Sequence, residues 1–378
     1  MTRVAALVVG LVCLVSASAA TAAPELVSRQ SPARGGAPGD LESGDISLSG
    51  DGRIAAFASG ATNLTDRDQD NGTFPLDDAF VHDRITGDTE LLNAPGPLAF
   101  APAVSANGRW VAFVTAANFH EPGVVRLRDL RTGTVIVAGK HSTTIGYAYP
   151  QAPPAISGDG RFVAFETRPP YPGTIRIFDR VAGRSRIIAR AGRHGWFSGL
   201  SMSRDGSVVA YSRLRDGAML PDGETATVVS VYRHDRRRDR GRQVARYLAP
   251  CCLIAFGIYG TALSDTGRYL AYMASDRRKT YRPRVFLRDA HGGRARIVSR
   301  DAHGVFPAHD PSIDAAGRSV SFTYSPFEGY PRVMVRDVRN SKSRVAATGD
   351  RGRLSSDGRW LGFASVNDPE QVFVMPSP

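Results

Sequence analysis

The stretch Ser157-Gly158-Asp159-Gly160-Arg161, which runs on into Phe162–Thr167, decides the fold of this chain. A serine, an Asp-Gly pair and an arginine are followed by a short run of mostly apolar and aromatic residues. The Asp-Gly pair is a strong tight-turn signal, because glycine reaches positive φ without steric cost. The apolar run that follows is typical of a short β-strand. The stretch therefore predicts a hairpin turn that leads into a buried strand.

The same turn and strand occur seven times along the sequence. Their turn glycines are Gly52, Gly108, Gly160, Gly206, Gly267, Gly317 and Gly358. A variable loop, a second β-type run and a hairpin into a third run follow each turn strand. With the strand that precedes the turn, each repeat supplies four strands. Four antiparallel strands in a repeat of this length are typical of a propeller blade, so we predict an all-β, seven-bladed β-propeller.

The last repeat predicts how the ring closes. It stops after its third strand, in "QVFVMPSP" at residues 371–378. The missing strand matches the other end of the chain: "PELVSR" at 24–29 resembles "ARIVSR" at 295–300 of the fifth repeat. Because a ring must protect the edges of its first and last sheets, we predict that residues 24–29 complete blade 7.

The repeats resemble a known family. "SGDGRIAAF" at 49–57, "SGDGRFVAF" at 157–165 and "SSDGRWLGF" at 355–363 are similar to the TolB-like, WD40-like (PD40) propeller repeat. The resemblance covers essentially the whole chain after its first residues and implies the propeller fold. Such blades occur in periplasmic binding proteins, peptidase gating domains and polysaccharide lyases, so the resemblance implies no single function.

The start of the chain is typical of an export signal. Arg3 is followed by an apolar run over Val4–Val15 and by the small-x-small site Ala20–Ala22. We therefore expect a signal peptide over residues 1–23, a propeller over 24–378, and a secreted or periplasmic protein. No later stretch is long and apolar enough to span a membrane.

Charge limits the classes of partner that we expect, and the cysteine content limits the possible disulfides. The formal net charge is +12, but the arginines are spread over all repeats, which favours a generally basic surface. We expect no nucleic-acid partner, and we expect a monomer. The basic run Arg233–Arg242 is predicted to be the hairpin between the outer strands of blade 4, either a solvated turn or a contact for an anionic polymer. Cys251 and Cys252 are adjacent, so they form either a vicinal disulfide or a pair of thiols.

The loops that link one blade to the next supply candidate binding residues. In propellers these loops lie on one face around the central channel. Polar and aromatic residues in them suit a sugar, a peptide or a metal: His141, Tyr147, Tyr149, Arg193, His194, Trp196, His303, His309 and Asp310. A metal site of the lyase type would need His194, His303 and His309 together, and scattered surface histidines are the favoured alternative.

An Asp-rich loop in blade 1 is a candidate calcium site. Asp66, Asp68 and Asp70 alternate before a glycine turn, and Asp77 is the twelfth residue counted from Asp66. Calcium takes six to eight oxygen ligands, and loops of this spacing supply them. The glycine comes one residue late and the closing acid is Asp, so a solvated polar loop is the favoured alternative.

The sequence contains no catalytic motif such as Gly-x-Ser-x-Gly or His-Glu-x-x-His. We therefore expect an exported, non-enzymatic binding module that presents its channel face to a protein or polysaccharide of the cell envelope. The alternative is a carbohydrate-active enzyme, a lyase or a hydrolase, that uses channel-mouth histidines and a metal.

Overall fold

The computed structural model describes residues 23–66, 78–93, 98–117, 123–140, 153–167, 173–193, 195–219, 225–250, 260–275, 283–301, 304–326 and 328–378. Seven antiparallel sheets of four strands each make up the molecule. This arrangement confirms the predicted seven-bladed β-propeller. No helix in these ranges is both long and apolar enough to cross a membrane.

The blades are numbered 1 to 7 along the chain, and their strands are numbered from the channel outward. The first strands are Ser43–Leu48, Leu98–Val104, Ala155–Ile156, Gly195–Met202, Thr261–Leu263, Ala308–Ile313 and Asp350–Leu354. The second strands are Ile54–Ser59, Trp110–Ala116, Phe162–Thr167, Val208–Met219, Tyr269–Ser275, Ser319–Tyr324 and Trp360–Ala364.

The third strands are Asp78–Asp83, Val124–Asp129, Thr174–Asp179, Thr225–Asp235, Pro283–Asp289, Arg332–Asp337 and Val372–Pro376. The fourth strands are Thr89–Leu91, Val135–Lys140, Arg184–Arg190, Arg240–Pro250, Arg296–Ile297, Lys342–Thr348 and, for blade 7, Glu25–Leu26. A 3-10 helix at Pro32–Arg34 and a small hairpin of Arg300–Asp301 with Gly304–Val305 lie outside the blades.

The second strands carry the core between blades. The aromatic residue that ends each repeat motif is buried in all seven blades: Phe57, Phe113, Phe165, Tyr211, Tyr272, Phe322 and Phe363. Neighbouring blades pack face to face through these side chains. Burying a ring of this size contributes on the order of 2 kcal/mol per residue, which makes the blade interfaces the main source of stability.

The repeated turn explains the Ser-x-Asp-Gly-Arg motif. Ser157 Oγ donates to Asp159 Oδ1 at 2.6 Å and accepts from the amide of Phe162 at 2.9 Å. Arg161 forms an ion pair at 3.0 Å with Asp179, which ends the third strand. Gly160 has φ +70°, and a Cβ there would lie 2.3 Å from the ring of Trp110 in blade 2. Glycine is thus required both by the turn and by the neighbouring blade.

The seven turns are joined in a closed circle of backbone hydrogen bonds at one end of the channel. Each amide donates to a carbonyl of a neighbouring blade: Gly50 to Ala106, Asn107 to Gly158, Gly158 to Arg204, Arg204 to Asp265, Asp265 to Ala315, Ala315 to Ser356, and Asp357 to Gly50. The donor–acceptor distances are 2.7 to 3.2 Å. This end of the channel is the turn face, and the opposite end is the mouth.

Blade 7 is closed by the N-terminal strand, as predicted. Glu25 pairs with Val374 and Leu26 with Phe373. Beyond this two-residue strand, the Val27 amide donates to Val372 O, and the Val372 amide donates to Ser28 Oγ. Val298 and Ser299 of blade 5 make the same two bonds with Val285. The matching Val-Ser pairs of the two segments therefore form the same hydrogen bonds with the third strand of their blades.

Blade 4 differs from the other blades in length. Its second, third and fourth strands have 12, 11 and 11 residues. The third and fourth strands meet in the turn between Asp235 and Arg240, so the basic run Arg233–Arg242 forms the predicted hairpin.

Candidate functional site

One position in each blade lines a cavity of about 580 Å³ at the channel mouth. The position lies four residues before the residue that begins each repeated turn. Its seven occupants are Asp45, Ala101, Pro153, Gly199, Gly260, Asp310 and Arg351. Blades 2 to 5 supply small or neutral residues, whereas blades 6, 7 and 1 supply charged ones. The mouth is therefore chemically one-sided.

A repeated irregularity of the first strand sets this position. The strand register shifts in blades 1, 2, 4, 6 and 7 at Gly44/Ser47, Phe100/Ala103, Ser198/Ser201, His309/Ser312 and Asp350/Arg353. Within these bulges Asp45, Ala101, Asp310 and Arg351 have φ of 50°, 53°, 48° and 52°. Left-handed backbone is uncommon for residues with a side chain, and bulges of this kind re-aim side chains next to functional sites.

Two groups of polar contacts hold the charged half of the mouth. Arg351 lies between blades, with Nη1 3.5 Å from Asp45 Oδ1 and Nε 3.8 Å from Asp350 Oδ2. His309 Nδ1 lies 3.1 Å from Asp310 Oδ2, and His309 Nε2 lies 2.9 Å from Ser325 Oγ. These side chains are 15 to 30% exposed, so they are shielded but reachable from the cavity.

The pKa values of the Asp310 and Asp350 carboxyls are shifted in opposite directions. Burial opposes ionisation of Asp310, but the hydrogen bond from His309 and the charges of Arg353 and Arg351 outweigh it and lower its pKa. Burial raises the pKa of Asp350, and the nearby Arg351 only partly offsets it. Asp350 Oδ1 is buried without a hydrogen-bond partner among the described residues. The mouth thus holds one carboxyl that favours its charged form and one that favours its neutral form.

Of the binding residues predicted from sequence, the structure brings His309 and Asp310 to the mouth. Trp196 instead packs in part against the core between blades 4 and 5, and Arg193 is exposed in a turn. His141, Tyr147, Tyr149, His194 and His303 lie outside the described residues. The prediction missed Asp45, Asp350, Arg351 and Arg353. Counting back four residues from each turn would have singled out Asp45 and Arg351, but not the bulge that turns them into the channel.

The predicted metal and cysteine sites fall mostly outside the described residues, which include Asp66 but not Asp68, Asp70, Asp77, Cys251 or Cys252. Asp66 is 84% exposed on its side chain and forms an ion pair with Arg34. The calcium site and the vicinal disulfide stay predictions.

The mouth residues do not fit a metal centre. Across the described ranges no group of three or more His, Cys, Asp and Glu side chains is placed to hold a metal ion. Both ring nitrogens of His309 already face Asp310 and Ser325. Asp45 and Asp350 face Arg351 instead.

Comparison with known proteins finds solved structures that share this fold. No protein-family model and no curated protein matches this sequence. An oligogalacturonate lyase solved in complex with manganese superposes with a TM-score of 0.62 at 13% identity, over 95% of this chain and 97% of that one. The oligogalacturonate lyase of Vibrio parahaemolyticus gives 0.59 at 12%, over 90% and 92%.

TolB from Acinetobacter baumannii, a propeller of the type that the repeats resemble, is also among the similar structures. Its TM-score is 0.46 at 14% identity, over 79% of this chain and 76% of that one. The likeness to the two lyases, at 12–13% identity, shows a shared propeller fold.

The comparisons correct the expected function. The leading prediction, a non-enzymatic binding module, is wrong: similar structures that match nearly end to end are lyases, and the findings favour the enzyme alternative. The absence of catalytic motifs does not decide the question, because such motifs detect only groups that lie close together along the chain. The mouth residues come from three blades and are brought together only by the ring.

Proposed function

We propose that this protein is a carbohydrate-active enzyme, a lyase or a hydrolase, whose active site is the charged half of the channel mouth. The observation that carries the proposal is that His309, paired with Asp310, and Asp350, beside Arg351, line one cavity, where the pKa of Asp310 is lowered and that of Asp350 is raised. Titratable groups separated in this way are the usual signature of an acid and a base that act together.

In this proposal His309 is the base and Asp310 positions it. When Asp310 accepts the Nδ1 proton, Nε2 is left as the acceptor, which is the form of histidine that takes up a proton. The ionised Asp310 also stabilises the imidazolium that results. Ser325, now 2.9 Å from Nε2, would give way to substrate.

Asp350 is the acid in this proposal. Burial raises its pKa and so favours the protonated carboxyl, and the buried oxygen without a partner faces no competing donor in the described part of the chain. The proton would pass to the glycosidic oxygen as the leaving sugar departs. In a lyase His309 takes a proton from the sugar ring, and in a hydrolase it takes one from water.

An acidic oligosaccharide is the proposed substrate class. Arg351 and Arg353 at the mouth supply positive charge for a sugar carboxylate. Two proteins of the same fold over nearly their full length are named for action on oligogalacturonate, which supports this choice. The predicted export would bring the enzyme to extracellular polysaccharide. Since the described mouth residues do not fit a metal, no step here depends on one.

Turnover assays test the proposal. The purified protein is incubated with oligogalacturonate and with neutral oligosaccharides, and product is followed by ultraviolet absorbance of unsaturated ends and by new reducing ends. We expect His309→Ala to lower kcat by about 100-fold or more, as is usual for loss of a general base. Asp239→Asn, at an exposed turn of blade 4, is the matched control and should leave turnover unchanged. Wild-type protein without product on any glycan, or full activity in His309→Ala, would overturn the proposal.

A further inference from the structure

A second layer of the channel carries a single large side chain. The position two residues before each turn is occupied by Ser47, Ala103, Ala155, Ser201, Ala262, Ser312 and Arg353. Six blades place serine or alanine there, and blade 7 places arginine. Ser201, Ala262, Ser312 and Arg353 all line the mouth cavity, so the arginine shares it with small residues of blades 4, 5 and 6. The small residues leave room for a ligand in front of Arg353.

The protein leaves the charge of Arg353 without an ion pair among the described residues. Its one hydrogen bond there is a long one, 3.4 Å from Nη1 to the carbonyl of Gly352. Arg351, two residues earlier, is held at 3.5 Å by Asp45. The arginines of the repeated turns are held by aspartates in the same way, Arg109 by Asp129 at 2.6 Å for example. Arg353 therefore has donors to offer, and a guanidinium presents them in a planar fork that matches a carboxylate.

A ligand reaches Arg353 from the mouth of the channel, because side chains bridge the blades at the turn face. At the turn face, Ser356 Oγ lies 2.8 Å from both carboxylate oxygens of Asp265, and Arg204 Nη1 lies 3.1 Å from Asp265 Oδ2. These side chains bridge blades 4, 5 and 7 across the circle of turns. The charged half of the mouth is at the other end. A ligand that enters by the mouth passes His309 and Asp350 and then meets Arg353.

We propose that Arg353 is the specificity-determining residue that binds a sugar carboxylate inside the channel, so that the protein selects acidic over neutral saccharides. This inference rests on the proposed function for its ligand class. It requires binding only, and therefore it can hold or fail separately from catalysis. The shielded position of Arg353 strengthens its bond with a carboxylate, because water competes poorly there.

Calorimetric binding to a galacturonate oligomer, to its methyl ester and to the matching neutral galactose oligomer tests the inference. The ester keeps the sugar's shape and removes the charge. We expect wild-type protein to bind the acid at least tenfold more tightly than the ester or the neutral oligomer. Arg353→Ser, which places the residue of blades 1, 4 and 6 in blade 7, should abolish this preference. Arg353→Lys should keep part of it, because a lysine retains the charge but loses the fork.

Arg344→Ser is the matched control, since it makes the same exchange at an exposed position on the outer strand of the neighbouring blade 6. It should bind like wild type. Equal affinity of wild type for acid and ester, or an undiminished preference in Arg353→Ser, would overturn the inference. A melting curve on Arg353→Ser separates loss of binding from loss of fold. If binding follows the prediction while no glycan is turned over, the proposed enzyme function fails and the carboxylate site stands.

Discussion

Four channel residues other than glycine adopt left-handed backbone, and in three of them this conformation places a charged side chain at the mouth. These three are Asp45, Asp310 and Arg351. A left-handed residue other than glycine costs roughly 1 kcal/mol or more, so the fold must hold it in place by other contacts. Ala101, the fourth, carries the same strain without a charge. The bulge is therefore a property of the propeller's first strand, and the charge is what blades 6, 7 and 1 add to it.

Asp350→Asn should stabilise the protein at neutral pH and have no such effect in acid. Burial raises the pKa of Asp350 in the folded state, so the folded state binds its proton more tightly than the unfolded state does. Folding stability is then lost as the pH rises from the ordinary carboxyl range through the raised pKa. Asparagine keeps the shape and removes this loss. We expect a melting temperature higher by roughly 2 °C at pH 7 and unchanged at pH 3, measured by calorimetry.

Asp310→Asn is the opposite case and serves as the control. The pKa of Asp310 is lowered in the folded state despite its burial, so its ionised form stabilises the fold above the ordinary carboxyl range, and that stability is lost as the pH falls through the lowered pKa. Asparagine should therefore lower the melting temperature at pH 7. Variants that shift it in the same direction would contradict the assignment of opposite roles.

Only part of this site could be predicted from the residues. His309 and Asp310 were candidates because they follow a blade and have chemistry of their own. Arg351 and Arg353 looked like ordinary surface arginines, since the sequence contains many. Their place in the channel depends on the register of the first strand and on the bulge before it. A bulge follows from pairing with the second strand, which no local pattern reports.

At the level of strands, the closing of blade 7 depends on a hydroxyl as much as on strand pairing. Ser28 is fully buried, donates to Gln371 Oε1 at 2.7 Å and accepts from the Val372 amide at 3.0 Å. The sequence predicted this strand because "LVSR" repeats "IVSR", and the structure gives the reason. Valine fills the core and serine caps the third strand in both places. The great length of the blade 4 strands was not predicted, because the irregular residues after Tyr211 gave no clear strand end.

Ser28→Ala should lower the free energy of unfolding by about 1–3 kcal/mol. The change leaves the buried Val372 amide without an acceptor, which is the cost of an unsatisfied donor. Urea denaturation followed by fluorescence measures it. Ser299→Ala removes the equivalent bond to Val285 in blade 5 and is the matched variant. Wild-type stability in Ser28→Ala would show that the N-terminal segment does not close the ring in this way.

At the scale of the whole molecule, arginines fasten several blades to the one before. Arg180 of blade 3 lies 4.0 Å above the ring of Trp110 in blade 2, and its Nε donates to Gly160 O. Arg236 of blade 4 lies 3.8 Å above Phe162 of blade 3. Cation–π contacts of this kind add about 0.5–2 kcal/mol each, and here they also orient the aromatic ring that the turn glycine packs against. These joints are therefore strengthened by the same type of residue that gives the chain its basic charge.

The ring closes without a covalent connection at a seam inside blade 7, where the N-terminal strand pairs with the third strand. Arg84 of blade 1 lies 3.9 Å above the ring of Trp360 in blade 7, and its Nη1 donates to Gly52 O at 2.8 Å. It also forms an ion pair at 2.7 Å with Glu25 on the closing strand, a contact that Arg180 lacks among the described residues. Arg84 thus holds three separate parts of the ring at its seam, with a side chain only 9% exposed.

Arg84→Ala should therefore destabilise the propeller more than Arg180→Ala. Both variants lose a cation–π contact and a charged hydrogen bond, worth about 2 kcal/mol together, and Arg84→Ala also leaves Glu25 without its partner. We expect an additional loss of about 1 kcal/mol in urea denaturation, and a double-mutant cycle with Glu25→Ala should return that amount as coupling energy. Limited proteolysis should cut Arg84→Ala first near its N-terminal strand. Equal losses in the two variants, with no coupling to Glu25, would mean that Arg84 does not strengthen the non-covalent seam of blade 7.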